Sequence, residues 1–263
     1  MVIALLPVRN SAHHLDRYFS CVSKFVDGIV ALDDGSTDDT VARLRASPLV
    51  LKLLQNPVRD TYAGWDDAQN RQRLLEAAEP LRPKWILQLD ADEEIAGSDA
   101  RLLTQLLRKP GPSHMAYGFQ VFRMLDAEGL TYDKSNLWVN RLFRYSPGMR
   151  LSTERLHLDL VPACIHGRRR HKTNIRIRHF SSVTASDRSA RFEKYRQADP
   201  NNEFQNSYQN LLDAPGTVHR WVEHADNVTP LVDPKRHTNI ALRPHACLGC
   251  LKHAVKLIFT PVS

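Results

Sequence analysis

At 263 residues, with 42% hydrophobic and 25% charged residues, the chain has the balance of a folded protein and the length to bury a sizeable core, as one large α/β domain or a domain with an appendage. The formal net charge of +7, with 12 histidines besides, favours anionic partners such as nucleotides, diphosphates or anionic lipid. The apolar start, residues 1–7, is too short and carries no basic leader for export. No apolar run reaches the roughly 18 residues that a membrane span needs. The four cysteines (Cys21, Cys164, Cys247, Cys250) do not read as a disulfide framework, so a cytoplasmic protein is expected, with peripheral contact to the inner face of a membrane.

The first hundred residues alternate short apolar runs with helical periodicity. Strands are expected over 2–6, 28–32, 49–54 and 84–89. Helices are expected over 13–25, 38–46, 66–79 and 99–108, with Ser36 or Thr37 capping the second and Ser98 the fourth. Such alternation predicts the α/β class, with a doubly covered, mostly parallel sheet. Past Pro110-Gly111-Pro112 the texture changes. Longer strands are expected over 115–124 and 136–145, paired antiparallel, and another over 174–180. Helices follow over 186–197 and 203–212. The division is thus 1–110 as an α/β half, 111–215 as further strands and helices of the same domain, and 216–263 as a tail with an amphipathic helix over 246–259.

Two acidic segments end apolar runs. Ile29-Val30-Ala31-Leu32 leads into Asp33-Asp34-Gly35-Ser36, and Trp85-Ile86-Leu87-Gln88-Leu89 leads into Asp90-Ala91-Asp92. Ligands of open α/β sheets bind beyond the carboxyl ends of strands. Carboxylates past a strand accept hydrogen bonds from a base or a ribose, though Asp, Gly and Ser are also ordinary turn and cap residues. The Asp-x-Asp spacing lets two side chains approach one ion, and an all-oxygen ligand set suits Mg²⁺ or Mn²⁺. A charged cluster beyond a buried strand is costly unless it is paired or binds a cation.

With both motifs in this order, the chain resembles an inverting family 2 glycosyltransferase of the GT-A fold, bacterial type. The resemblance is carried by Pro7-Val8-Arg9-Asn10, by the run 31–40 (ALDDGSTDDT), by 64–78 (GWDDAQNRQRLLEAA) and by 85–95 (WILQLDADEEI), over about the first hundred residues. It implies nucleotide and donor contacts from Pro7, Arg9, Asp33, Asp34, Asn70, Arg71 and Asp90. It implies Mn²⁺ or Mg²⁺ on Asp90 and Asp92, with His179 on the metal or diphosphate. The implied partners are a UDP-, GDP- or dTDP-sugar donor and a glycan or lipid-linked acceptor. A downstream carboxylate would serve as base, for which Asp159 and Glu154 are the candidates. Related sequences often carry His-Glu there, whereas Leu158 follows His157 here.

Other segments receive plainer readings. Alternation puts Arg141 and Arg144 on opposite faces of a strand, so one at most points into a site. Arg191, Tyr195 and Asp199 read as packing and helix-end residues. The basic run 166–172 reads as a solvated loop, and Cys247-x-x-Cys250 lacks the second pair of ligands that a structural zinc site needs. The rival functions are a non-catalytic nucleotide- or sugar-binding domain and a sugar nucleotidyltransferase. The latter would want a Gly-rich, Arg-containing loop after the first strand, and a dehydrogenase would want G-x-G-x-x-G there. The basic residues are dispersed and form no recognised nucleic-acid module, so no nucleic-acid partner is expected.

Overall fold

The computed structural model describes residues 1–108 and 114–233. In chain order the elements are β1 (Val2–Val8), α1 (Ala12–Val22), β2 (Gly28–Asp33), α2 (Thr40–Ala46), β3 (Val50–Gln55), α3 (Asp67–Ala78), β4 (Trp85–Gln88), β5 (Glu93–Glu94) and α4 (Gly97–Arg108). There follow β6 (Ala116–Met124), β7 (Thr131–Arg144), β8 (Arg170–His179), α5 (Ala185–Ala198), β9 (His219–Arg220) and β10 (Val232–Asp233). The sheet runs β10-β8-β6-β7-β4-β1-β2-β3, with β5 added to β8 and β9 to β7. Its β3-β2-β1-β4 half is parallel, whereas β7 runs antiparallel to both β4 and β6. The class is therefore α/β with a mixed sheet and parallel N-terminal strands.

The period of two along β1 explains why both faces are covered. Ile3 and Leu5 point into one core with Leu74, Leu75 and Ala78 of α3. Ala4, Leu6 and Val8 point into the other, with Leu15 and Tyr18 of α1 and Leu102, Leu103 and Leu106 of α4. All strands of the parallel half except β3 are buried along most of their length, as a sheet covered on both sides requires. This leaves their carboxyl ends as the open edge.

The second helix has Asp39 at its N-cap, and not Ser36 or Thr37 as expected, and three further local expectations fail for identifiable reasons. No helix forms over 203–212, where there is only a single 3-10 turn at Gln209–Leu211. The Asp199 carboxylate takes the backbone N–H groups of Glu203 (2.7 Å) and Phe204 (3.1 Å), and Asn202 adopts φ +53°, so local bonds compete with a helical ladder. Ser98 lies inside α4, where its N–H and hydroxyl donate to Glu223 (2.9 and 2.5 Å). The basic run is not all solvated: Arg170 and His171 begin β8 and are buried, Arg170 Nε donating to the Ile165 carbonyl at 2.7 Å.

The stretch 216–233 lies along the sheet. It supplies β9 and β10, and Trp221 packs with Phe122, Met124, Phe180 and Tyr132. The guanidinium groups of Arg176 and Arg178 lie 4.2 and 4.7 Å from the Trp221 ring. The expected helix over 246–259 and the pair Cys247 and Cys250 fall outside the described residues. Among the described residues, no helix is long and apolar enough to cross a membrane.

Candidate active site

The carboxyl ends of β1, β2 and β4, the start of α3, the middle of β7, the end of β8 and one face of α5 surround a cleft of about 600 Å³. Each wall has a local reason for its place. Asp66 caps α3, its side chain accepting from Gln69 N at 2.8 Å, and Asp67 sits in the first turn where a carboxylate complements the helix dipole. Thr184 and Asp187 form a reciprocal capping box at the start of α5. From there Asp187, Ala190, Arg191, Lys194 and Tyr195 fall on one helical face, and all five line the cleft.

At the β2 end, Asp33 is turned inward. Its Oδ2 accepts from Gly35 N (3.2 Å) and Ser36 N (3.1 Å), while its buried Oδ1 meets no partner. Asp33 does not line the cleft, whereas Asp34 does, bonded to Asn56 Nδ2 at 2.5 Å and ion-paired with Arg59. Gly35 is needed here. It has φ +81°, and a Cβ would stand 2.4 Å from the Pro57 carbonyl oxygen. Pro7 and Arg9 line the same wall. Arg9 donates to the Thr61 carbonyl (2.8 Å) and to that of Arg59, and its guanidinium lies 4.1 Å over the Tyr62 ring. It thereby fastens the loop 59–62 to the sheet edge.

At the β4 end the contacts are long-range. Arg71 is buried and donates to Asp67 (2.9 Å), to Gln88 (3.1 Å) and to Asp90 Oδ1 (2.8 Å). Arg141 reaches Asp90 Oδ2 at 3.4 Å and pairs with Glu93, while its Nε and Nη1 are buried without partners. Of the two strand arginines, Arg141 is therefore the one that faces the cleft, and Arg144 lies 5.4 Å from the Trp85 ring. Burial alone would raise the Asp90 carboxyl, but the two arginines outweigh it and hold the group at about 2. Glu93 is raised, burial prevailing over Arg141 with Asp90 adding to it. Asn70, also buried, accepts from Asn56 Nδ2 at 3.0 Å, and since Asn56 also bonds Asp34 this ties α3 to the β2 end.

The short β5–β8 pairing decides the position of the histidine. The register Glu93↔His179 lays β8 against the Asp90–Glu93 turn, and Phe180 N donates to the Asp92 carbonyl at 2.8 Å. His179 Nε2 then stands 3.3 Å from Asp92 Oδ2. Asp92 is held well below the ordinary carboxylate range, with His179 foremost in outweighing burial, followed by Arg191 and His14. Among the described residues, no group of three or more His, Cys, Asp or Glu side chains is gathered as a metal cage.

The structure thus brings Pro7, Arg9, Asp34, Asn70, Arg71, Asp90, Asp92 and His179 to one cleft. It does not bring Asp33, Glu154 or Asp159 to its lining. Glu154 is exposed, and Asp159 is ion-paired with Arg170 and accepts from Val161 N at 3.3 Å. The sequence reading overlooked the α5 face, Tyr62, Trp65 and His157, and it assigned Arg191 and Tyr195 to packing. The signal was available in the i, i+4, i+8 spacing of Asp187, Arg191 and Tyr195, a polar stripe along one face of the helix.

No family model matches the chain. The chain is 26% identical over 211 residues to an uncharacterized protein of Mycobacterium tuberculosis, an alignment covering 77% of this chain and 52% of that one. It therefore spans about half the length of the curated relatives it matches. Among solved structures it is similar to S. aureus TarS 1–349, with TM-score 0.47 and 14% identity over 80% of this chain and 69% of that one. It is also similar to glucosyl-3-phosphoglycerate synthase from Mycobacterium tuberculosis in complex with Mg²⁺ and uridine diphosphate. There the TM-score is 0.32 and the identity 20%, over 47% of this chain and 43% of that one.

Proposed function

We propose that the chain is a GT-A-type glycosyltransferase that moves a sugar from a nucleoside-diphosphate donor to a hydroxyl acceptor with inversion. The observation that carries this reading is the meeting of two acidic strand ends in one cleft, one beside Asn56, Arg59 and Asn70, the other a bed of Asp90, Asp92, Arg71, Arg141 and His179. Buried arginine donors without partners suit a diphosphate, whose oxygens accept several bonds at once.

The residues also fit a divalent cation. Mg²⁺ and its relatives use one or two carboxylates plus substrate phosphates, not a complete protein cage, so Asp92 and His179, with Asp90 beside them, are a sufficient protein share. When bound there, the cation would act as a Lewis acid toward the leaving diphosphate. The chain's own contribution is to orient the diphosphate through Arg141 and Arg71, to hold Asp90 and Asp92 ionised, and to leave the α5 side open for the acceptor.

Calorimetry with UDP, GDP and dTDP, with and without Mn²⁺, tests the reading. One nucleotide should bind in a Mn²⁺-dependent way, and Asp92→Ala should weaken it at least tenfold. Absence of nucleotide binding, or binding indifferent to both Mn²⁺ and the substitution, overturns it. A donor screen with product analysis separates sugar transfer from nucleotidyl transfer and from binding without turnover.

A further inference from the structure

Every carboxylate on the cleft wall is already engaged. Asp34, Asp67, Asp90 and Glu93 are ion-paired with arginines, Asp92 lies 3.3 Å from His179 Nε2, and Asp187 accepts from Thr184 N in the capping box. A histidine on the opposite wall is differently placed. His157 lines the cleft and adopts φ +55°, a left-handed conformation that few residues enter without support. Its ring is stacked at 5.3 Å on Tyr195 and at 5.8 Å on Tyr208.

A chain of hydrogen bonds runs behind it. His157 Nε2 lies 3.1 Å from the Tyr208 hydroxyl, and that hydroxyl donates to Asp199 Oδ2 at 2.8 Å. Asp199 is buried, and the Tyr208 hydroxyl, with the backbone N–H groups of Phe204 and Glu203, outweighs burial and holds it below the ordinary carboxylate range. A phenol has one proton to give, and here it goes to the carboxylate. The phenolic oxygen can then only accept from His157, so Nε2 carries the hydrogen and Nδ1 keeps its lone pair. Nδ1 has no protein partner among the described residues.

We propose that His157 is the general base of the transfer, with Tyr208 and Asp199 as the positioning residues that fix its tautomer. The inference rests on the glycosyltransferase reading and adds to it the group that receives the proton. As the acceptor oxygen bonds to the anomeric carbon, its proton passes to Nδ1. The bond from that carbon to the diphosphate oxygen breaks, and the electron pair leaves with the diphosphate. The imidazolium afterwards returns the proton to water. Although the residue as a whole is exposed, desolvation of the ring between Tyr195 and Tyr208 lowers the imidazole below its usual range and Arg191 adds to this, while Asp199, Asp67 and Glu154 pull the other way, so the neutral ring prevails at pH 7. The end of α5 and the turns after it, which do not form the expected helix over 203–212, place Asp199 and Tyr208 in this line.

The test uses His157→Asn, because Asn tolerates a left-handed backbone, together with Tyr208→Phe, which keeps the ring stack. Hydrolysis of a nucleotide-sugar panel, with water as acceptor and Mn²⁺ present, should fall about 100-fold or more in His157→Asn. Mn²⁺-dependent nucleotide binding should stay unchanged in both variants. Tyr208→Phe should lose about tenfold and move the acid limb of the pH–rate profile. Nitrogen-15 NMR, which needs no substrate, should find the Nε2–H tautomer in the wild type and a mixture in Tyr208→Phe. Hydrolysis in His157→Asn within threefold of wild type, or an Nδ1–H tautomer at neutral pH, overturns the base assignment alone. Failure of every nucleotide to bind the wild-type protein overturns the glycosyltransferase reading, and this one with it.

Discussion

The β2 and β4 ends carry similar acidic sequences and use them differently. At the β2 end, Asp33 folds back on Gly35 and Ser36, and one oxygen of its carboxylate is used in making the turn. At the β4 end, Asp90, Asp92 and Glu93 meet Arg71, 19 residues before Asp90, Arg141, 51 residues after it, and His179 on β8. One tip is settled by its own turn and by Asn56 and Arg59 of the next loop; the other is balanced only when α3, β7 and β8 are all in place. An acidic strand end is therefore a candidate site in proportion to the number of separate elements that supply its partners, and not to its number of carboxylates.

That contrast can be broken by substitution. The largest effect is expected from Arg71→Met, which leaves Asp90 and Asp67 without their shared cation in a buried setting. Denaturant unfolding should register a loss of about 3–5 kcal/mol. Loss below about 1 kcal/mol would mean that Arg141 alone balances the turn. Acid titration gives the next. A carboxyl of about 3.9 in the unfolded chain and about 2 in the folded one contributes stability above pH 4 that is lost as the pH falls through about 2. Asp90→Asn should cost about 2 kcal/mol at pH 7, and the gap to wild type should close near pH 2, as urea unfolding at the two pH values would reveal.

The local tip yields smaller effects. Gly35→Ala forces a side chain into a positive φ and against the Pro57 carbonyl, and about 2 kcal/mol should be lost in thermal unfolding. Asp34→Asn keeps a polar group beside Asn56 and removes only the pair with the partly exposed Arg59, so stability should change by less than about 1 kcal/mol. Equal costs at the two tips would erase the distinction between them.

The sequence made the parallel half readable because burial there follows simple periods. All four strands and four helices of the first hundred residues fall within a few residues of their expected places, and the antiparallel pairing of β6 with β7 was visible in two long apolar alternations. The two-residue β5 was not visible, since two residues have no period, yet it is what seats His179 beside Asp92. The helix expected over 203–212 was misread for the opposite reason: its composition allows a helix, but one carboxylate, Asp199, captures the backbone first. The base candidates illustrate the same limit. Glu154 and Asp159 had suitable chemistry, but their direction depends on Arg170 and on the path of the loop between β7 and β8, neither of which leaves a local pattern.

The stretch after residue 215 has a consequence for shortening the chain. Glu223 receives the N–H and hydroxyl of Ser98 and an ion pair from Arg178, and His224 Nε2 lies 3.3 Å from the fully buried Asp99. Trp221 covers Phe122. A truncation at 215 would uncover an aromatic face on β6, strip the first turn of α4 of its acceptor, and leave Asp99 to Arg176 alone. Since β8 carries both Arg176 and His179, the loss would travel along one strand to the cleft. The boundary that composition suggests at 215 is thus a poor place to cut, and a fragment ending after β10 is the shortest that keeps this strand braced at both ends.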